Sequence, residues 1–289
     1  MIPRPFEYER PESIAEAVAL LADAGPREVT LLAGGQSLIP MLSLGLARPD
    51  VLVDLGALDL AGLERRNGSV RVGAGTTHRS LELGSDFREL VPLASEASRS
   101  IGNPRVRNRG TFGGSLAHAD PAAELGAVLL AYGGTVLAQG PGGERRIAAD
   151  EFFQGYLTTA LAPDEVLVAA ELELPPPGTG VGFYEAARRT DDFATAGAAA
   201  IVTVDGDGRA ASGARLALVG VGDRPLRVGT AEEIVRGEVP SDVLLERVEA
   251  EVEGAVEAKG DAFVSDAFRR RLAGVCARRA LERAWGRAG

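Results

Sequence analysis

Cysteine occurs once in these 289 residues, at Cys276, so no internal disulfide can form and no cluster held by several thiolates can be built. Histidine occurs twice, at His78 and His118, too few for a histidine-rich metal site. Lysine is nearly absent. Lys259 is the only one among 31 basic residues, an arginine bias that reads as codon usage and not as a binding signal. Positive charge is in deficit overall, and the net charge of −10 is spread along the chain. That balance argues against nucleic acid or an anionic membrane surface as the main partner. It also means that an anionic cofactor needs local help against the overall field. No window approaches the roughly 20 apolar residues needed to span a bilayer. The opening Met1–Glu7 lacks the apolar stretch of a signal peptide, so the expected location is cytoplasmic.

What is present suits an ordinary soluble globular protein: 45% of residues are hydrophobic and 25% charged. The length allows two domains with substantial cores. After an extended lead-in near Pro3–Tyr8, apolar residues at Ile14, Val18, Leu21 and Ala22 predict a helix that Gly25-Pro26 ends. Val29–Leu32 reads as a buried strand running into Gly34-Gly35, with a helix or turn through Leu46. Val51–Leu55 reads as a parallel strand, making the opening a βαβ-like unit. Val70 and Val72 mark another strand, and helices are expected from Thr76, over Pro92–Ser100 and over Asp120–Tyr132. Strand signal returns at Thr135–Leu137 and Glu165–Ala170.

Pro175-Pro176-Pro177-Gly178 is the clearest punctuation, because three prolines lack backbone donors and resist both helix and central strand. A domain boundary is placed there. Beyond it, Gly197–Val204 and Gly213–Gly220 read as antiparallel strands joined through Asp205-Gly206-Asp207-Gly208, a hairpin signal. Two helices close the chain. The last has Ser265 as N-cap, with Phe268, Leu272, Val275, Cys276 and Trp285 on or near one stripe.

The chemistry concentrates in two glycine segments. Leu31-Leu32-Ala33-Gly34-Gly35-Gln36-Ser37-Leu38 follows a predicted strand, and Arg109-Gly110-Thr111-Phe112-Gly113-Gly114-Ser115-Leu116-Ala117-His118-Ala119-Asp120-Pro121 follows later. Paired glycines allow φ > 0 and close approach to a ligand, and their N–H groups then form a nest for phosphate oxygens. Ser37, Thr111 and Ser115 add hydroxyl donors. No lysine sits beside either pair, so such a cradle works through amides and hydroxyls. Gly73-Ala74-Gly75 and Gly220-Val221-Gly222 lack the third glycine of G-x-G-x-x-G, and no G-x-x-x-x-G-K-[ST] occurs. From the residues alone, tight turns and a dinucleotide held by a non-Rossmann fold both stay open.

Ala33–Leu38 and Thr111–Pro121 closely resemble the FAD-binding signatures of molybdenum hydroxylase flavoprotein subunits, the family of carbon monoxide dehydrogenase and xanthine dehydrogenase medium subunits. Arg188–Thr195 resembles the segment that begins that family's C-terminal domain, and Phe268–Val275 resembles its final helix. The likeness covers nearly the whole chain in the right order. It implies an α+β fold. A two-lobed, PCMH-type (vanillyl-alcohol-oxidase-like) FAD-binding domain over 1–176, with lobes at about 1–58 and 59–176, precedes a smaller α+β domain of antiparallel sheet and helices over 179–289.

The resemblance also implies that the two glycine segments come from different lobes and clamp the FAD diphosphate. Leu32, Ala33, Gly34, Gly35, Gln36, Ser37 and Leu38 would form one side. Thr111, Gly113, Gly114, Ser115 and Ala117 would form the other. Glu124 falls where the family has an acidic residue that bonds sugar or ribityl hydroxyls, a sensible role for a carboxylate acceptor. Asp120 and His118 lie near the cofactor, and Ile101, Gly102 and Leu161 line the pocket. Phe193 stands where relatives often have tyrosine near the isoalloxazine, keeping the aromatic face and losing the hydroxyl. The implied partners are a molybdenum-cofactor large subunit and a small subunit with two [2Fe–2S] clusters, as a dimer of heterotrimers. The implied role is electron transfer to an external acceptor.

Plainer readings stand beside these. His118 is read as a loop histidine packing beside the cofactor, His78 as structural, Cys276 as a core residue and Arg269-Arg270-Arg271 as a solvated helix face. Two rival functions are a stand-alone flavin oxidase, which a covalent histidine or cysteine link to flavin would favour, and a scaffold that has lost its cofactor. Intact glycines in both segments argue against the scaffold. The substrate and the final acceptor are not legible in this chain.

Overall fold

The computed structural model describes residues 3–206 and 208–289. Three strands and two helices form the first unit: β1 (Glu7–Glu9), α1 (Ile14–Ala22), β2 (Val29–Leu32), α2 (Leu38–Leu44) and β3 (Val51–Asp54). The sheet is parallel in the order β1-β3-β2. Ser13 caps α1 by accepting the Glu16 amide at 3.1 Å, as its position before the apolar repeat requires. Central β3 is buried at Val51, Leu52 and Val53. The expectation of a buried β2 fails: all four residues are half-buried, because β2 is an edge strand and Thr30 and Leu31 face a large cavity.

A second unit follows, with β4 (Leu63–Arg66), β5 (Ser69–Gly73), α3 (His78–Leu83), α4 (Ser85–Leu90), α5 (Pro92–Ser98), α6 (Pro104–Arg107), α7 (Phe112–His118) and α8 (Glu124–Tyr132). It continues through β6 (Thr135–Gly140), β7 (Gly143–Ala148), α9 (Ala149–Phe152), β8 (Phe153–Gly155), β9 (Thr158–Thr159) and β10 (Val166–Glu173). Five strands make an antiparallel sheet in the order β4-β5-β10-β6-β7. Ala17, Val18 and Leu21 of α1 join Val51 and Val53 against Leu137, Val166 and Val168, so the two sheets share one apolar cluster. The helix expected over 120–132 starts only at Glu124. Residues 120–123 form a turn in which the Asp120 carboxylate accepts the Ala122 amide at 2.9 Å.

The last unit comprises β11 (Thr179–Ala187), β12 (Ala194–Val204), β13 (Ala211–Val219), β14 (Leu226–Arg227), α10 (Gly229–Val235), α11 (Asp242–Ala255) and α12 (Asp266–Trp285). Its antiparallel sheet runs β11-β12-β13-β14. The predicted pair β12–β13 forms. Asp207 of the expected hairpin lies outside the described residues, while Gly208 has φ +73° and its amide reaches Asp205 O at 2.8 Å. β11 had no expectation behind it.

Period-two alternation gives this sheet two faces. Val181, Phe183, Ala199 and Ile201 enter the core of the second unit, whereas Ala196, Ala198, Ala200 and Val202 pack against the helices α10–α12. Ser265 caps α12 through the Phe268 amide as expected, and Cys276 is a buried core thiol. Two expectations for this helix fail. Phe268 is exposed and off the buried stripe, which runs through Ala273, Cys276, Ala277, Ala280 and Leu281. Arg269 is not solvated: it donates to Thr195 O at 2.9 Å and Gly220 O at 2.8 Å and pairs with Asp261, bracing the ends of β12 and β13.

Candidate functional site

The edge of β2, the connection into α2, the start of α3, the segment 101–120 and the start of α8 surround a cavity of about 1000 Å³. All the residues expected at the site line it except Leu32 and Leu161. Leu32 lies under the turn, with its side chain facing the empty side of Gly35. Leu161 packs on the main core.

The two glycine segments meet directly, and they use their glycines in different ways. A side chain on Gly34 would collide with Arg109 O and sit 2.7 Å from Gly110 Cα. Gly35 alone of the four paired glycines turns left-handed, at φ +73°. Beyond it, the amides of Gly35, Gln36 and Ser37 find no acceptor among the described residues, and Ser37 opens α2 without spending its hydroxyl on a cap. This is an open donor edge facing the cavity.

The second segment is not a nest. Thr111 caps α7, its hydroxyl accepting the Gly114 amide at 3.1 Å. The amides of Phe112 and Gly113 are taken by Thr76 O and Ala74 O, each at 2.8 Å, and that of Ser115 by Thr111 O at 2.9 Å. Gly113 is glycine because a Cβ there would meet Ala74, 2.8 Å from its Cα. Gly114 faces Ala33 across the seam, its missing Cβ 3.6 Å from that methyl. The segment therefore offers hydroxyls and close backbone, and its N–H groups are already used. α7 ends at Ala119 in the left-handed region (φ 52°), which aims His118 and Asp120 along the cavity wall.

His78, read from sequence as structural, belongs to both descriptions. It starts α3 beneath a bridge between Thr77 and Thr111. Its Nε2 faces Thr111 O at 3.0 Å, so that nitrogen carries the proton, while Nδ1 is buried with no partner. Burial, with the nearby Arg107, lowers its pKa to about 4, so the ring is neutral near pH 7. Sequence reasoning also missed Arg109, the wall formed by Ala74, Gly75 and Thr77, and the apolar Leu55, Leu58 and Leu60. Gly73-Ala74-Gly75 was the available signal, set aside as an incomplete dinucleotide motif.

Glu124 lies in the wall, buried, with its pKa pushed up to about 8 by burial and by the neighbouring charges of Glu185 and Asp120. Asp191, Asp192 and Phe193, on the β11–β12 connection of the C-terminal unit, also line the cavity, with Phe193 69% exposed and Asp191 at φ +70°. Arg188 anchors this turn, 3.9 Å above the Phe263 ring and 3.9 Å from the Asp192 carboxylate.

Residues 4–177 match the family described as the FAD binding domain in molybdopterin dehydrogenase, and residues 182–284 match the CO dehydrogenase flavoprotein C-terminal domain. The chain belongs to this flavoprotein family. Carbon monoxide dehydrogenase medium chain of Afipia carboxidovorans is 38% identical, over 100% of this chain and 99% of that one. The 6-hydroxypseudooxynicotine dehydrogenase complex subunit alpha of Paenarthrobacter nicotinovorans is 40% identical, over 81% and 79%. Among solved structures, carbon monoxide dehydrogenase of Hydrogenophaga pseudoflava lacking the Mo-pyranopterin moiety superposes with a TM-score of 0.96, at 35% identity and full coverage of both chains. The resemblance drawn from the glycine segments and the two-part α+β fold both hold. The first part is an FAD-binding domain of an oxidoreductase subunit, and no helix among the described residues is long and apolar enough to cross a membrane.

The cavity fits FAD on its own features. Its volume is at the top of the range of small-molecule sites, roughly 300–1,000 Å³. Open amides at Gly35–Ser37 suit a diphosphate, and apolar residues such as Leu55, Leu58, Leu60, Ile101 and Val106 line the same cavity and suit flat rings.

Proposed function

We propose that FAD lies along this cavity and that the chain is the electron-transfer subunit of a molybdenum hydroxylase, passing electrons from iron–sulfur clusters to an external acceptor. The observation that carries the reading is the open edge of three amides at Gly35–Ser37, in a turn pressed against Arg109 and Gly110, lining one large cavity. The diphosphate lies on that edge, Ser37 and Ser115 add hydroxyl donors, and Glu124 meets the sugar or ribityl hydroxyls. Ile101, Gly102, Ala117, His118 and Asp120 line the path, and Phe193 covers the mouth.

Bound FAD supplies a centre that takes electrons singly and gives them up as a pair. The chain's own part is to hold it, exclude water along the apolar walls and keep His78 neutral so that the cavity floor stays fixed. With one cysteine, this chain cannot itself bind a four-thiolate cluster, so electrons come from another polypeptide. The partners are a large subunit with the molybdenum cofactor and a small subunit with [2Fe–2S] clusters, in a cytoplasmic dimer of heterotrimers. The domain boundary lies in Pro175–Pro177, with the FAD-binding domain over 1–176 and its two lobes meeting at about residue 58. The relatives named above act on different molecules, so substrate choice belongs to the large subunit.

The test is the visible spectrum and metal content of the chain purified with whatever co-purifies. Retained flavin absorption after gel filtration, with molybdenum and iron in the same peak, is the expected result. A colourless peak without either metal would overturn the proposal.

A further inference from the structure

We propose that Glu124, in the wall of the cavity, and Glu185, on β11 outside the cavity lining, form a proton-carrying carboxyl pair that lets an acidic wall face an anionic cofactor. The inference rests on the proposed FAD site. Alternation along β11 puts Glu185 on the same face as Val181 and Phe183, the face that enters the core of the FAD-binding part. Its neighbour across the register is Gly197 of β12, where a Cβ would lie 3.2 Å from that of Glu185, so glycine leaves room for the carboxyl arm. Glu185 Oε2 is buried and has no hydrogen-bond partner. Glu124, at the start of α8, is buried as well and lines the cavity.

No ion pair reaches either carboxyl among the described residues. The titratable groups that act on the pair are Asp120, on the connection from α7 to α8, and the Cys276 thiol on α12. β12 has no ionisable side chain. The α12 arginines nearest the sheet are engaged elsewhere, Arg269 with Asp261 and Arg283 with Glu96. Asp120 and Glu185 thus both act on Glu124, and none of the three has an ion-pair partner among the described residues, beside a cavity meant for a diphosphate. Full ionisation would oppose the cofactor's charge, and protons remove that opposition. Burial raises both carboxyls, to about 8 for Glu124 and about 7 for Glu185. As interacting groups they titrate as a pair, not singly.

A neutral Glu124 donates an O–H as well as accepting, which a carboxylate cannot do. FAD binding then favours the protonated pair. Affinity is level below pH 6 and falls by up to about tenfold per pH unit above pH 8, one proton being linked to binding.

The experiment has two arms on the full-length chain with its co-purifying partners. Infrared spectroscopy with pH, on flavin-depleted protein, follows protonated carboxyls. A band that persists at pH 7, shifts its loss to lower pH in E185Q and weakens in E124Q is expected. Absence of that band at pH 7, or no response to either substitution, overturns the pair. Calorimetric titration with FAD in two buffers of different ionisation heat then counts protons. Proton uptake above pH 8 that vanishes in E124Q supports the inference, and binding with no proton linkage refutes it. Failure of FAD to bind at any pH, with the carboxyl band present, instead removes the cofactor reading and leaves a buried acid pair with no ligand to serve.

Discussion

Substituting Gly34→Ala drives a methyl group into the seam between the two glycine segments. The new carbon would lie 2.7 Å from Gly110 Cα and closer still to Arg109 O, both backbone atoms that no rotamer change can move aside. Carbon atoms pack at about 3.5–4.0 Å, so the segments must part by roughly 1 Å. Overpacking of this kind costs about 1–3 kcal/mol. The strain falls on the turn that presents the Gly35–Ser37 amides, so FAD affinity drops roughly 5- to 150-fold. Gly142→Ala is the control, because that position in the β6–β7 turn has right-handed or extended backbone and nothing within 4 Å of a new Cβ. The assay is FAD titration followed by flavin fluorescence, with a thermal melt on each variant. A G34A protein with wild-type affinity and melting temperature would refute the argument that close approach of the two backbones builds the site.

Other outcomes follow from the same structure. Phe193→Ala removes an exposed ring, so the melting temperature stays within the range of surface changes, about ±0.5 kcal/mol, while the rate of flavin oxidation by small acceptors changes; an unchanged rate would remove Phe193 from the mouth. His78 has its folded pKa lowered from 6.5 to about 4, so its contribution to stability is present above pH 6.5 and lost as pH falls towards 4, amounting to about 3 kcal/mol. Chemical denaturation of wild type and His78→Gln from pH 7 to 4 checks it, the variant showing the shallower acid slope. Arg269→Ala leaves the carbonyls of Thr195 and Gly220 without their donor and should cost about 1–3 kcal/mol, read as a lower denaturation midpoint. A neutral result there would return Arg269 to the solvated face that its sequence suggests.

Much of the fold is legible because the local signals are strong. Ser13 and Ser265 announce their helices, the apolar run at Val51 its parallel strand, and the glycine segments the cavity. What stays hidden depends on contacts distant in sequence. The Gly113-Gly114 pair looks like a phosphate nest, yet its amides are used by Ala74 O and the Thr111 hydroxyl, and Thr76 O takes the Phe112 amide just before it, Ala74 and Thr76 being distant in sequence. Arg269 sits in an arginine run that reads as solvated, and only the fold brings Thr195 and Gly220 under it. Leu161 resembles a pocket residue but packs in the core, and Phe268 keeps helical spacing without being buried. β11 carries small residues and glycines, which give little strand signal before β12 pairs with it.

In the proposed complex the cofactor's diphosphate rests on the open amides of the first glycine segment. The most direct measurement is the structure of the chain with FAD bound. Phosphate oxygens are expected within hydrogen-bonding distance of the Gly35, Gln36 and Ser37 amides, with the 109–115 segment closing from the other side. Diphosphate placed elsewhere, such as the smaller cavity beside Arg224 and Arg227, would contradict it.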